Sequence, residues 1–468
     1  MMQWERPMKP RPVDPPQCMA PSIGARRLAL DVLRDFRQTS AFAQFSLNDK
    51  LIGARLKPED RRLVTSIVYG TLENQLRIDY ALDSFMERPT KDPLQRDILR
   101  ISAYQILFHD RVPDSAAVNE GVNLARVLGM ESSAGFINAV LRSLSRNKTQ
   151  IKWPKREEQF LQYLHIMGSM PIWIVDALIE AYGEDEAERI IMHRETEHLM
   201  VMRPNLMKFA DHEFEGILRS KGWKYRRGIA PHAFLVSGVM NLKLDTDYRN
   251  GYFSVIGQSS LLAAEAVQAK PGMRILDACA APGGKAAYLC ESMQNTGRVY
   301  AWELHEKRAL LLESTKRRLG LENIRISVRD ATEFRMDLEG TFDAVLLDAP
   351  CSGLGVMAQK PDIRYRIQPE DIDALVTKQK NMLNVLCRYV KPNGILVYST
   401  CSILPRENAG QIEAFLADQP EFAVERLPVT FPEQLVRHQT PFGLQTLGYR
   451  DDVEGFFITR LRKTRVYA

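Results

Sequence analysis

The chain has 468 residues, long enough for roughly two to four domains. Its 63 basic and 58 acidic side chains leave a net charge of +5, too mild to prove a polyanion partner, and no run of about 18 apolar residues marks a helical membrane span. Six cysteines at irregular spacing, without a CxxC pair, exclude a disulfide framework and a zinc ribbon; no metal is expected, and the default setting is reducing and cytoplasmic.

Residues 1–21 carry six prolines and little apolar periodicity, and read as a flexible polar arm without an apolar signal core. From Ile23 to Asn147 the pattern is helical. Leu28, Val32, Leu33 and Phe36 share one face, as do Leu63, Ile67, Val68 and Leu72, and later Ile98, Ile101, Tyr104 and Leu107. Pro58, Pro89, Pro93 and Pro113 fall between the stripes, where helices should break. The spacing predicts an all-α bundle over 22–148. Residues 149–250 are mixed: helices at Ile172–Tyr182 and Glu184–Arg194, the run Leu199–Arg203, a helix near His212–Ser220, and strand-like Ala233–Val236 suggest a small α/β unit. Within it, residues 203–228 hold seven basic side chains against three acids, a pattern that fits either a solvated face or a phosphate-binding surface.

Over 251–468 short β-branched runs alternate with amphipathic helices. Strands are predicted at Arg274–Cys279, Val299–Leu304, Ile324–Arg329, Ala344–Asp348 and Ile395–Thr400, with Gly455–Leu461 as an added edge strand. Helices are predicted at Ala286–Glu291, Glu306–Leu319, Pro369–Val390 and Glu407–Leu416. This alternation specifies a parallel, doubly wound, Rossmann-like sheet.

The first strand of that sheet runs into Ala278-Cys-Ala-Ala-Pro-Gly-Gly-Lys285, a glycine-bearing turn before a helix. It is neither GxGxxG nor a P-loop. Asp277, Glu303 and Asp330 end three successive strands, which lines the carboxyl edge of a parallel sheet with acids. A carboxylate after the second strand suits a ribose diol, and Asp330 suits an adenine amino group. With no phosphate cradle, the pattern favours a nucleoside cofactor without pyrophosphate: S-adenosylmethionine.

Two cysteines each follow a predicted strand, in Asp348-Ala-Pro-Cys351-Ser-Gly and in Ser399-Thr-Cys401-Ser. Each is either a small buried hydrophobe or a nucleophile. If the two strands are neighbours, the sulfurs can share one cleft, since adjacent strands lie ~4.8 Å apart. Methylation of pyrimidine C5 would suit such a pair. Thiolate addition at C6 makes C5 nucleophilic, a donor must hold N3, and a base must remove the C5 proton. Cys401, Asp348 and Cys351 supply suitable groups, but the chemistry alone does not choose which thiol attacks. An ordinary thiol is only ~3% thiolate at pH 7, so activation is required, and Lys285 or backbone N–H groups are the candidates. The thiols of Cys279, Cys290 and Cys387 read as packing, and Cys18 has no evident role.

These motifs resemble the RNA cytosine-C5 methyltransferase (Sun) family. Residues 278–285 resemble its cofactor loop, 348–353 its proline-cysteine motif, 399–402 its threonine-cysteine motif, and Pro405-Arg-Glu-Asn408 its Pro-Glu-Glu-Asn sequence. Lys360-Pro-Asp-Ile-Arg364 and Glu454-Gly-Phe-Phe457 are also similar. The resemblance implies that Cys401 is the nucleophile and that Cys351 assists proton removal and product release. It implies a cofactor site of Asp277, Cys279, Ala280, Ala281, Pro282, Gly283, Gly284, Lys285, Glu303, Arg308, Asp330, Ala331, Asp348 and Pro350. Arg203, Lys224, Arg226, Arg227, Lys360 and Arg364 are the expected RNA-binding residues. The helical segment resembles NusB-like RNA-binding domains through Asp60–Gly70, Val118–Val122 and Gly135–Arg142. In this order the parts resemble the bacterial branch of the family that acts on 16S rRNA, as a monomer, before or early in subunit assembly. The same chemistry on tRNA and a non-catalytic RNA-binding assembly factor are the alternatives. Three departures stand out. Where the family has Gln-Asp-Glu before Ala/Ser-Ser, this chain has Ile256-Gly257-Gln258 before Ser259-Ser260; Glu454 stands where aspartate is usual; and Arg406 replaces a glutamate.

Overall fold

The computed structural model describes residues 21–39, 42–195, 197, 199–239 and 241–464. Apart from Pro21, the proline-rich arm lies outside the described residues, as does Cys18. The chain forms two compact units that divide between Ser169 and Met170. The helix at 160–167 therefore goes with the helical unit, and the small sheet shares a unit with the large one. Among the described residues no single helix is long and apolar enough to cross a membrane.

The first unit is helical: α1 (Pro21–Gln38), α2 (Ala43–Gly53), α3 (Pro58–Glu73), α4 (Gln75–Asp83), α5 (Pro93–Phe108), α6 (Asp114–Val127), α7 (Glu131–Asn147) and α8 (Phe160–Met167). Pro58 and Pro93 begin α3 and α5, where a missing N–H costs nothing. Asp92 caps α5 by accepting the Leu94 N–H at 2.9 Å. The apolar stripes meet in one core that includes Leu30, Ile67, Val68, Ile98, Leu141 and Leu144. Gly70 lets α3 and α5 approach closely, because a Cβ there would lie 2.1 Å from the Tyr104 ring.

The second unit contains two sheets. In the small antiparallel sheet, β1 (Met200–Pro204), β2 (Lys224–Arg227), β3 (Phe234–Ser237) and β4 (Phe253–Val255) lie in the order β2-β3-β1-β4. Helix Asp211–Ser220 covers it through Phe214 and Leu218, which pack with Met202, Phe234 and Phe253. The large sheet comprises β5 (Arg274–Asp277), β6 (Arg298–Glu303), β7 (Ile324–Val328), β8 (Phe342–Asp348), β9 (Val390–Thr400), β10 (Phe422–Val424), β11 (Gln439–Thr440), β12 (Gly443–Thr446) and β13 (Phe456–Lys463). Its order is β7-β6-β5-β8-β9-β13-β12-β11, with β10 also paired to β13. Strands β5 to β9 are parallel, as the alternation predicts. The order reverses between β5 and β8, the place where ligands bind in such sheets. One expectation is corrected here. β13 is no edge strand, since it runs antiparallel to β9 on one side and meets β12 and β10 on the other.

Arg203 also departs from expectation. It is fully buried, and its guanidinium donates to Glu291 Oε2 at 2.6 Å and Oε1 at 3.0 Å, so it presents nothing to RNA. Glu291 lies on helix Gly284–Ser292, directly after the glycine turn, and also accepts the Leu206 N–H at 2.9 Å. This pair pins the small sheet to the helix that carries the turn. Removing one partner of a buried pair strands the other charge in a low dielectric. Arg203→Met is therefore expected to lower the urea-unfolding free energy of the protein by roughly 3–5 kcal/mol. Arg203→Met with Glu291→Leu should recover part of that; a double variant no more stable than the single would show that the stranded charge is not the cause.

Candidate active site

The cofactor edge is built where β5 ends. Gly283 sits at φ +114°, a backbone state that side chains rarely adopt, and Gly284 leaves room for Ile256, whose Cδ1 would lie 3.0 Å from an added Cβ. Asp277 is fully buried, and neither carboxylate oxygen has a protein donor at bonding geometry. Burial pushes its pKa up to about 7, against the opposing pull of the Lys285 cation. An acid of this kind fits a ligand that brings its own donors, such as the hydroxyls or ammonium of an aminoacyl nucleoside. Glu303, buried at the end of β6, accepts the His305 N–H at 3.1 Å and Arg308 Nη1 at 3.3 Å. Arg308 Nη2 also donates to the Ala281 carbonyl at 3.0 Å, tying the turn to the next helix. Asp330 uses Oδ1 to accept the Thr332 N–H and hydroxyl, which holds its pKa below the ordinary value. Ala280, Ala281 and Ala331 are buried around it, and the Pro350 carbonyl accepts Gln379 Nε2 at 3.0 Å.

Lys285 and Asp348 link this edge to the thiols. Lys285 Nζ donates to Asp348 Oδ2 at 2.6 Å and to Ser260 Oγ at 3.2 Å, while Asp348 Oδ1 accepts the Ser399 hydroxyl at 2.8 Å. Burial lowers the Lys285 pKa, but the Asp348 carboxylate outweighs it and the net shift is upward. The amine stays a cation.

β8 and β9 are neighbours, so Cys351 and Cys401 meet with their sulfurs 3.3 Å apart. They titrate as a pair. Either thiol can donate to the other; with Cys351 as the donor, the Cys401 pKa moves down and the Cys351 pKa well up. The surroundings act on both sulfurs. Burial and Asp348 oppose an anion at either one, Lys360 and Lys285 favour one at Cys401, and Glu407 opposes one at Cys351. The remaining thiols behave as packing groups: burial raises Cys279 and Cys290, and it pushes Cys387 up to about 11.

A residue to which the sequence reading assigned no role aligns the two thiols. Glu407 is fully buried in the turn after β9. Its Oε1 accepts the Ser352 N–H at 2.9 Å and Gln379 Nε2 at 3.0 Å; its Oε2 accepts the Ser352 hydroxyl at 2.6 Å and the Ser402 hydroxyl at 2.5 Å. Ser352 and Ser402 each follow a cysteine, so one carboxylate clamps both cysteine loops. Asn408 braces the second loop by donating to the Ser402 carbonyl at 2.9 Å and accepting the Thr400 hydroxyl at 2.6 Å. The only sequence signal for either residue was the four-residue likeness at 405–408.

The basic residues fare differently from their sequence count. Arg364 is buried and donates to the Met357 carbonyl at 3.0 Å, so like Arg203 it is not an RNA-facing side chain. Arg226 pairs with Asp452, Arg227 with Asp211 and Glu215, and Lys221 with Asp245 and Asp247. Acids brought in by the fold thus neutralise most of the 203–228 excess. Lys224 and Lys360 are exposed.

Comparison with known proteins adds five likenesses. Residues 264–462 match the family described as 16S rRNA methyltransferase RsmB/F, and residues 24–146 match the NusB family. The chain is 34% identical over 445 residues to the probable ribosomal RNA small subunit methyltransferase B of Bacillus subtilis, covering 94% of this chain and 98% of that protein. It is 31% identical to the ribosomal RNA small subunit methyltransferase B of Pasteurella multocida, covering 87% and 90%. Among solved structures, PH0851 superposes with a TM-score of 0.80 at 24% identity over 95% of this chain and 99% of that one.

Two outcomes follow from the electrostatics of the site. Folding raises the Asp277 pKa from an ordinary ~3.9 toward neutrality, so its contribution turns unfavourable as pH climbs through that window. In ligand-free protein, Asp277→Asn is expected to raise the melting temperature at pH 8 by at least ~2 °C, a gain that shrinks toward pH 4; a pH-independent difference would refute the buried charge. Glu407→Gln removes a charge that opposes the Cys351 thiolate. Iodoacetamide labelling read by peptide mass spectrometry should show Cys351 gaining on Cys401 by roughly 10-fold or more, and an unchanged ratio would assign Glu407 to packing alone.

Proposed function

The chain belongs to the 16S rRNA methyltransferase RsmB/F family, and from that premise we propose that it methylates C5 of a cytosine in 16S rRNA through a covalent Cys401 adduct. The observation that carries this reading is the pair of sulfurs 3.3 Å apart beside Lys285 and Asp348. S-adenosylmethionine is the family's methyl donor; when bound it supplies an electrophilic methyl group. Asp277, Glu303, Asp330 and the turn at Gly283–Gly284 are the residues that would hold it. The unpartnered Asp277 carboxylate supports that assignment.

The target cytosine must leave its stack to reach the partly buried sulfurs. Cys401, as the thiolate, adds to C6, and electron density moves to C5, which would take the methyl group from a bound donor as that donor's sulfonium sulfur becomes a neutral thioether. Asp348 and Lys285 act as acceptor and donor for the polar N3–N4 edge of the base. With Cys401 bonded to carbon, Cys351 gives its own proton to solvent and, as the thiolate, takes the C5 proton. The C5–C6 double bond re-forms, and Cys401 is expelled as the thiolate. Lys224 and Lys360 are the proposed phosphate contacts; such contacts orient the RNA without reading its sequence.

Labelled methyl transfer to protein-free 16S rRNA tests this. Wild type is expected to transfer and Cys401→Ala to lose transfer by at least ~1000-fold, while Cys351→Ala should accumulate a denaturant-resistant protein–RNA adduct. Transfer by Cys401→Ala, or an adduct that forms without Cys401, would overturn the assignment of the nucleophile.

A further inference from the structure

Helix Gln258–Glu265 begins without a capping side chain of its own. Its N-cap residue is Gly257, at φ −60° and ψ 150°, a conformation open to any residue. The cap arrives from the far end of the chain: Glu454 Oε2 accepts the Ser259 N–H at 2.9 Å and the Ser259 hydroxyl at 2.8 Å. A Cβ on Gly257 would lie 2.4 Å from Glu454 Oε1, and its three nearest neighbours are all atoms of that carboxylate. Glycine is needed here for space, not for φ. Beside it, Gln258 is used as an amide. Its Oε1 accepts the Ile229 N–H at 2.7 Å and its Nε2 donates to the Asp452 carbonyl at 2.8 Å, which a carboxylate could not do.

Both ends of this contact reach the reactive groups. Ser260, one residue after Ser259, accepts Lys285 Nζ, which holds Asp348. Gly455, one residue after Glu454, donates its N–H to the Gly355 carbonyl at 3.0 Å, and Gly355 donates its own N–H to the Cys401 carbonyl at 2.9 Å. A Cβ at Gly355 would lie 1.9 Å from the Gly455 carbonyl oxygen, so the two strands of chain touch backbone to backbone.

We infer that Glu454 is a positioning residue that caps helix Gln258–Glu265 from across the sheet and thereby locks the Lys285–Asp348 pair in register with the two cysteine loops. The space at Gly257, the amide at Gln258 and the carboxylate at Glu454 form one coupled arrangement. The carboxylate reaches the helix start from the segment before the last strand, where an N-terminal helix dipole and two donors receive it. The inference rests on the methyl-transfer reading for its consequence, though not for its geometry.

The test compares wild type with Glu454→Gln, Glu454→Ala, Gly257→Asp, and Glu454→Ala combined with Gly257→Asp. Two readouts are used: methyl transfer to 16S rRNA, and the iodoacetamide labelling rate of Cys401 without RNA. Each single variant is expected to lower kcat by roughly 10-fold to 100-fold and to change Cys401 labelling by about 5-fold. The double variant, with its acid back at the N-cap, should return to within about 3-fold of wild type in both. Single variants at wild-type values, or a double variant no better than Glu454→Ala, would overturn the inference. If wild type itself transfers no methyl, the proposed function fails, and the labelling rates still decide the role of Glu454.

Discussion

The site depends on one buried carboxylate. Glu407 is enclosed, and a charge in that position persists only when its oxygens are fully engaged. Here four donors meet it: the Ser352 amide and hydroxyl, the Ser402 hydroxyl and the Gln379 amide. Strand pairing brings β8 and β9 side by side, but it does not aim the loops that follow them. The shared acceptor does so, because each loop satisfies it through the residue directly after its cysteine. The same enclosed charge bears on Cys351 more than on Cys401, so the element that orients the thiols also makes them unequal.

The rest of the cleft extends this inequality. Lys285 stays protonated despite burial because Asp348 sits 2.6 Å away, and it lends its field to Cys401. Asp277, at the end of β5 before the same turn, feels the Lys285 cation without bonding it, and burial still pushes its pKa up to about 7. One lysine thus bonds one carboxylate of the site and not the other.

The parallel core was legible because its strands are short, apolar and separated by amphipathic helices. Glu306–Leu319 falls at its predicted ends, and the two cysteines fall at strand termini as expected. What escaped was information carried by distant partners. Lys224–Arg227 has no apolar alternation, so β2 exists only because β3 provides a neighbour. β13 reads as a strand, but its interior place depends on β12 and β10, whose three- and four-residue lengths give no periodic signal. Arg203 looks like one of seven surface cations until Glu291, 88 positions later, is placed against it. The roles of Glu407 and Glu454 escaped for the same reason, since each is set by donors distant in sequence.

The interior place of β13 orders events during synthesis. The helical unit is complete by Ser169, which favours early and independent folding. The catalytic sheet is different. β9 cannot gain its antiparallel neighbour, nor Gly355 its Gly455 partner, until Phe456–Lys463 has been made. A nascent chain arrested before that point would hold both cysteines and the whole cofactor turn, yet leave β9 as an open edge. Translation thus finishes the reactive cleft last, and a truncated product carries an unprotected strand edge in place of a loose methyltransferase activity.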